Sequence, residues 1–231
     1  MTSFDWSILV AGRYHDWLLA GLVLSLKLWL ITLLLALPLA LVLALARRSP
    51  WPLLRGLTQA LVEAVRNVPL LAHMLFWYFG APELVPAALK DWLYAHDYEA
   101  VAAVCALLFY TAAYMSEDMR SGLRAVPAVQ VEAARALGLG FWATMRLVVL
   151  PQALRLTVPP LLSQTLNLWK NTSIATVIGT AELMYQTAQV ETTSFRSAEA
   201  FAFATACYLG VSLLIGAAAA WYQHAHPVRT T

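Results

Sequence analysis

The chain has 231 residues and a net charge of +2 at pH 7; 61% of its residues are hydrophobic and 12% are charged. A soluble domain carries about 25% charged residues, so this chain has too little polar surface for a soluble globule. The small net charge argues against a nucleic-acid partner. The composition predicts an integral membrane protein in contact with membrane lipid.

The first long apolar run, residues 17–46, exceeds the about 20 residues that a helix needs to cross a bilayer. It predicts the first membrane-spanning helix. No basic segment precedes it, as a signal peptide would require. Pro50 and Pro52 follow it and end the helix, because proline disfavours helical continuation.

Later apolar runs predict four further spans, at residues 57–80, 99–120, 154–181 and 199–221. Residues 81–98 are predicted to be a loop with one short interfacial helix, and the polar residues 182–198 a second loop. The sequence therefore predicts an all-α integral membrane protein with five transmembrane helices. They form a single domain over residues 1–231.

Basic residues predict the orientation, because Lys and Arg beside spans tend to remain cytoplasmic. One side of the five-span arrangement is rich in arginine and holds Arg47, Arg48, Arg55, Arg120, Arg124, Arg135, Arg146 and Arg155. The loops of the other side are mostly acidic. The N-terminus is therefore predicted outside and the C-terminus inside, with residues 121–153 as the largest cytoplasmic loop.

Within that loop, residues 131–151 read VEAARALGLGFWATMRLVVLP. Apolar residues recur every three or four positions and predict one apolar helix face: Val131, Ala134, Leu137, Phe141 and Met145. Gly138 and Gly140 interrupt this pattern, and Leu150 and Pro151 are predicted to end the segment before the fourth span. The pattern predicts two short helices joined by a glycine turn. It fits either a unit that inserts into a groove on a partner protein or an amphipathic helix at the membrane interface.

The order EAA, three residues, glycine, nine residues and then Val-Val-Leu-Pro resembles the EAA loop of ABC-importer permeases, whose pattern is EAA-x3-G-x9-I-x-L-P. The chain departs from it only by Val148 in place of isoleucine. In that family the loop is the coupling helix that docks on the ATP-binding subunit. The resemblance assigns to this contact Glu132, Ala133, Ala134, Gly138, Leu150 and Pro151.

The resemblance extends over most of the chain. Residues 63–86, 112–124 and 167–183 resemble polar amino-acid permeases, and the RNVPL and PELVP segments are most similar to glutamate/aspartate permeases. This resemblance implies the type I ABC-importer permease fold and a location in the bacterial inner membrane. It also implies import of polar, in particular acidic, amino acids.

The implied partners are two ATP-binding subunits, a second permease subunit (a copy of this chain or a relative) and a periplasmic substrate-binding protein. The chain has no Gly-x4-Gly-Lys-Ser/Thr loop for phosphate. ATP is therefore expected on a partner subunit, and no cofactor is expected in this chain. No metal site is predicted, since Cys105 and Cys207 have no second Cys or His at ligand spacing.

Charged and polar residues within spans are costly and usually face a cavity or a partner. Glu63 and Arg66, like Glu117 and Arg120, lie three residues apart and are predicted to pair. A polar run in the fourth span offers donors that could replace the hydration of an anionic amino acid. The substrate-path candidates are Arg66, Glu117, Lys170, Asn171 and Thr172. The alternative for these residues is a role in charge pairing near the inner interface, helix packing or gating.

Two other classes of membrane protein fit the sequence less well than a permease. An ion-coupled secondary carrier often has inverted repeats, and no convincing internal repeat is present. An intramembrane enzyme would need a nucleophile beside a base, and nothing marks a partner for His73. The sequence therefore favours a permease subunit without catalytic residues, with the secondary carrier as the alternative.

Overall fold

A computed structural model describes residues 6–225, so the two ends of the predicted domain lie outside the described residues. The described part contains ten α-helices and no strand, which confirms the all-α prediction. Their bounds are Arg13–Ala46 (α1), Pro52–Asn67 (α2), Leu70–Leu75 (α3), Ala87–Tyr94 (α4), Tyr98–Arg124 (α5), Ala128–Ala136 (α6), Phe141–Thr144 (α7), Leu150–Asn171 (α8), Leu183–Ser194 (α9) and Ser197–Ala225 (α10).

Three of these helices, α1, α5 and α10, are long and apolar enough to cross a membrane. They correspond to the first, third and fifth predicted spans. Helix α4 lies in the segment for which a loop with one short helix was predicted. The count of five spans and the orientation of the termini stay predictions.

The second predicted span, residues 57–80, was wrongly predicted as one continuous helix. Helix α2 ends at Asn67, Val68 is extended with φ −102° and ψ 133°, and α3 begins after Pro69. Proline pushes the preceding residue out of the helical conformation and has no N–H to continue the ladder. Helix α3 then runs into a π-helical turn, Phe76–Gly80.

The prediction that Leu150 and Pro151 end a helix was also wrong. Helix α7, the π-helical turn Met145–Val149 and α8 follow one another without a break, and Pro151 lies in the first turn of α8. A proline cannot donate to the carbonyl four residues earlier. The wider π turn just before it accommodates that missing hydrogen bond.

After α8 the chain continues as a 3-10 helix, Thr172–Ile178. The fourth predicted span is therefore not α-helical as far as residue 181. Gly179 follows with φ +84°, a left-handed conformation that glycine adopts without steric cost. The predicted loop 182–198 instead contains α9. Glu182 starts this helix by accepting a hydrogen bond from the Tyr185 N–H at 2.9 Å.

Helix α5 is the centre of the bundle and packs against both α1 and α8. On the α1 side the contact is built mainly from small residues, Ala36 and Ala40 packing with Ala112, and Met115 fills the space beside them. Small side chains let membrane helices approach closely and gain dispersion contacts. On the α8 side the helices are also close, because Gly122 lies against Thr157 and the Ala153 carbonyl.

We expect Gly122→Ala to destabilise the protein. A Cβ at this position would overlap the Thr157 hydroxyl oxygen and lie 3.2 Å from the Ala153 carbonyl oxygen. The helices would have to separate, at a cost of about 1–3 kcal/mol. Thermal unfolding in detergent, followed by tryptophan fluorescence, measures the loss. Gly210→Ala is the matched control, because a Cβ there meets nothing within 4 Å. Equal unfolding temperatures for the two variants would contradict the close contact.

Candidate functional site

A cavity of about 240 Å³ lies between α5 and α8. Its lining residues are Tyr110, Thr111, Tyr114, Gln164, Asn167, Leu168 and Asn171. On each helix these positions recur every three or four residues, so one face of α5 is opposed to one face of α8. All of them except Leu168 carry a hydrogen-bonding side chain. The cavity is below the about 300–1,000 Å³ of sites for drug-sized ligands, so it suits a small polar molecule.

Of the five substrate-path candidates, one lines this cavity and a second contacts one of its lining residues. Asn171 lines it directly. The guanidinium carbon of Arg66 lies 5.1 Å from the centre of the Tyr114 ring, and the Tyr114 hydroxyl donates to the Arg66 carbonyl oxygen at 3.1 Å. A cation over an aromatic face is attracted by the ring quadrupole, so Tyr114 holds the Arg66 side chain beside the cavity.

The structure places the other three candidates away from the cavity lining. Lys170 is exposed. Thr172 is fully buried, and its hydroxyl donates to the Trp169 carbonyl oxygen at 2.8 Å. Glu117 lies one turn from the lining residue Tyr114 and is surrounded by arginines.

This arginine cluster brings four guanidinium groups around the one Glu117 carboxylate. They are those of Arg47, Arg66, Arg120 and Arg124. Arg47 reaches from the end of α1 and is 5% exposed, and the predicted Glu117–Arg120 pair is present. The two outer members are more distant, Arg124 at 3.7 Å and Arg66 at 4.0 Å. Glu117 thus ties α1 to α5. Because four guanidinium groups surround one carboxylate, the cluster keeps a net positive charge.

The predicted Glu63–Arg66 pair is not among the ion pairs of the described residues. Glu63 instead accepts a hydrogen bond from the Gln59 amide at 2.8 Å. Arg66 faces Glu117 across the gap to α5, and its Nε is buried without a hydrogen-bond partner in the described part of the chain. A buried N–H without an acceptor is costly, so Arg66 retains binding capacity.

Asp118 is a residue at the site that the sequence reasoning missed. It follows Thr111 and Tyr114 at helical spacing on the cavity face of α5, and the Gln164 amide donates to its carboxylate at 3.1 Å. The spacing of Asp118 from Tyr114 is visible in the sequence. It was overlooked because Glu117 and Arg120 offered an obvious pair.

A second missed residue is Glu182, which is 0% exposed. Hydroxyl groups from three other elements donate to its carboxylate: Ser25 of α1 at 3.1 Å, Thr176 of the 3-10 helix at 2.9 Å and Tyr208 of α10 at 3.0 Å. These contacts satisfy the buried carboxylate. The sequence offered no signal for them, since Glu182 was predicted to lie in a loop.

The predicted glycine turn is present in segment 131–151, between α6 and α7, but α6 begins before the segment at Ala128 and α7 continues into α8 instead of forming a separate short helix. Helix α6 ends at Ala136, and Gly138 has φ +80°. The Gly138 N–H donates to the Arg135 carbonyl at 2.9 Å, and the Leu139 N–H to the Ala134 carbonyl at 3.1 Å. This pair of bonds is a Schellman motif, in which a left-handed residue closes the helix end.

The apolar face predicted for this segment is divided in two. Val131 and Met145 pack against a small core beneath them, whereas Leu137 and Phe141 are 83% and 59% exposed. Leu137 follows the end of α6, so it leaves the helical face. Trp142 adds to this outer surface and is 82% exposed.

Two grooves flank the same segment. One, of about 420 Å³, has Glu132 among its lining residues together with Arg48, Arg124 and Arg135. The other, of about 330 Å³, is mainly apolar, and Ala133, Ala134 and Leu137 contribute to it. Leu150 and Pro151 lie apart from these residues in the first turn of α8. Within residues 6–225, no group of three His, Cys, Asp or Glu side chains could hold a metal ion.

Comparison with known proteins gives concordant matches. The family described as "Binding-protein-dependent transport system inner membrane component" matches residues 36–226. The "Probable glutamine ABC transporter permease protein GlnP" of Bacillus subtilis is 37% identical over 165 residues, 71% of this chain and 72% of that one. The glutamate/aspartate import permease protein GltK of Escherichia coli is 32% identical over 216 residues, 92% of this chain and 94% of that one.

A solved structure is also similar. It is described as the crystal structure of an amino acid ABC transporter with histidines, and it covers 96% of this chain and 99% of its own, with a TM-score of 0.84 and 26% identity. This likeness supports an all-helical ABC-permease fold, in agreement with the resemblance that the EAA pattern carried.

We expect Glu117→Gln to destabilise the bundle by about 2 kcal/mol, because it would leave four guanidinium groups without their carboxylate. Thermal unfolding in detergent measures the loss. Arg124→Gln is the control within the same cluster. Its side chain is 57% exposed and 3.7 Å from Glu117, so its removal should cost less than about 1 kcal/mol. A loss for Glu117→Gln no larger than that for Arg124→Gln would show that the cluster does not tie α1 to α5.

Proposed function

Since this chain belongs to the family of binding-protein-dependent transport system inner membrane components, as a permease subunit of an amino-acid ABC importer, we propose that it forms the translocation path for polar amino acids in the bacterial inner membrane. Glutamine, glutamate and aspartate, named in its relatives, are the proposed substrates. The ion-coupled carrier gains no support from these matches.

The observation that carries the proposal is the polar cavity between α5 and α8. A solute crossing a bilayer must exchange its hydration for protein groups, because unpaired polar atoms are costly there. The cavity offers hydroxyl groups of Tyr110 and Thr111 and amides of Asn167 and Asn171. Arg66 adds a positive charge beside them.

The second part of the proposal is the coupling to ATP hydrolysis. The EAA segment, α6 and α7 with the turn between them, is proposed to dock on an ATP-binding subunit. Leu137, Phe141 and Trp142 give it an exposed apolar surface, and Ala133 and Glu132 line the flanking grooves. Gly138 fixes the angle between the two helices through its left-handed backbone.

The continuity of α7 with α8 suggests how docking reaches the cavity. A displacement of α7 would pass through the π-helical turn Met145–Val149 into α8, whose residues Gln164 and Asn171 line the cavity. Leu150 and Pro151 belong to this mechanical link in the proposal, and Ala134 to the packing that supports it.

The proposed assembly has two permease subunits with the type I fold, two ATP-binding subunits and a periplasmic substrate-binding protein. Each permease subunit would have five spans, with the N-terminus outside and the EAA segment in the cytoplasm. ATP would be bound and hydrolysed only on the partner subunits. Closure of the ATPase pair would then move the two EAA segments together and open the cavity to the binding protein.

We expect Leu137→Asp to lower ATP-driven uptake at least about tenfold in proteoliposomes that contain the complete importer. Leu137 is 83% exposed, so the substitution should leave folding intact. Placing a charge in an apolar contact, and losing the burial of one leucine, exceeds the about 1.4 kcal/mol that a tenfold change requires. Uptake of radiolabelled amino acid and pull-down of the ATP-binding subunit are measured on the same preparations.

The matched control is Leu53→Asp, in the first turn of α2, where a carboxylate is well tolerated. Leu53 is 74% exposed and lies outside the EAA segment. The Leu53→Asp variant should keep full uptake and full recovery of the ATP-binding subunit in the pull-down. Full uptake by Leu137→Asp, or an equal loss in the control, would contradict docking through this surface. A wild-type complex without ATP-dependent uptake would contradict the proposed function itself.

A further inference from the structure

Two opposite charges flank one end of the cavity. Arg66, the last charged residue of α2, is held there by Tyr114, and Asp118 lies one helical turn beyond Tyr114 on the same face of α5. The side chains that line the cavity itself are uncharged. One cation and one anion therefore lie just beyond this lining, in contact with Tyr114 and Gln164.

The Arg66 guanidinium is available for another partner. Glu117 is already bound by Arg47 and Arg120 and lies 4.0 Å from Arg66, beyond a normal hydrogen bond. The Nε of Arg66 has no acceptor among the described residues. A guanidinium presents donors in a planar fork that matches a carboxylate. Arg66 can thus bind a second carboxylate without displacing Glu117.

The Asp118 carboxylate is also incompletely used. Two carboxylate oxygens can accept about four hydrogen bonds, and in the described part of the chain its one hydrogen-bond donor is the Gln164 amide, at 3.1 Å. That bond fixes the carboxylate against a residue that lines the cavity. The free positions suit an ammonium group, which brings three donors and a compensating charge.

We propose that Arg66 and Asp118 together recognise the α-carboxylate and the α-ammonium of the amino acid, which makes Asp118 a specificity-determining residue for zwitterions. An α-amino acid carries these two charges on neighbouring atoms of one small molecule. The uncharged lining formed by Thr111, Asn167 and Asn171 then receives the side chain, either amide or carboxylate. This inference rests on the proposed function, and it names the groups that distinguish an amino acid from other small acids.

The test measures direct binding to the purified permease–ATPase complex in detergent, without the substrate-binding protein, by isothermal titration. The first ligand is whichever of L-glutamine and L-glutamate the wild-type complex binds more tightly. The second is the same molecule without its α-amino group, glutaramate or glutarate. The wild type should prefer the amino acid at least about tenfold. Asp118→Asn should weaken amino-acid binding by a similar factor and leave the amine-free ligand unaffected, so that the preference disappears.

Glu63→Gln is the matched control, because it removes the same charge from an exposed position on α2. Its preference for the amino acid should equal that of the wild type. Arg66→Gln tests the other charge and remains informative if Asp118→Asn does not fold. The Arg66→Gln variant should bind the amino acid and the amine-free ligand more weakly by the same factor, since both ligands carry the carboxylate.

An unchanged preference in Asp118→Asn would overturn the inference, as would an absence of binding by the wild-type complex. An Arg66→Gln variant that binds both ligands normally would also overturn it. In each case, ATP-driven uptake by the wild-type importer would leave the proposed function standing. An absence of ATP-driven uptake by the wild-type importer would instead contradict the proposed function.

Discussion

The close packing of α5 against α1 and α8 is the constraint on which the other features depend. In a lipid environment no hydrophobic driving force brings helices together, so the approach relies on small side chains and dispersion contacts. Ala36, Ala40 and Ala112 provide it on one side, and Gly122 on the other. Because α5 is held in this way, the residues on its α8-facing side are fixed in space. That face lines the cavity and carries Tyr114 and Asp118.

Two polar contacts fasten the bundle at separated points. Glu117 joins α5 to α1 through Arg47, and Glu182 joins α1, α9 and α10 through buried hydroxyl groups. Helix α1 takes part in both, so it is held to α5 near residue 47 and to α9 near residue 25. Unlike apolar contacts, these hydrogen bonds have required geometries, and they restrict how far the helices can slide against one another.

The sequence predicted those parts of the molecule that follow from local pattern. Long apolar runs located α1, α5 and α10, and the glycine at position 138 predicted the turn between α6 and α7. The errors arose where a proline or a distant partner decided the result. Pro69 divided a run that hydropathy alone joins, and Pro151 lies inside a continuous helical run, from α7 to α8, that it was predicted to end.

From the sequence, Arg66 and Asn171, which lie at or beside the cavity, could not be separated from Lys170 and Thr172, which lie away from its lining. Exposure of Lys170 and burial of Thr172 depend on how α8 turns toward α5, and the chain folds into a 3-10 helix at that point. Asp118 was not predicted, because it directly follows Glu117 and no spacing in the sequence distinguishes it as a site residue. Its contact with the cavity lining is made through Gln164, which is 46 residues away in the chain.

The break between α2 and α3 has an electrostatic consequence. Arg66 lies one residue before the end of α2, and the extended Val68 separates that helix from α3, so a tilt of α2 about this point would carry the guanidinium away from Tyr114. The cavity would then keep the carboxylate of Asp118 and lose the nearby cation. The attraction for a carboxylate at this end of the cavity would weaken, without any change in the packing of α5 against α8. Retention and release of a solute could in this way be set by the position of a single helix end.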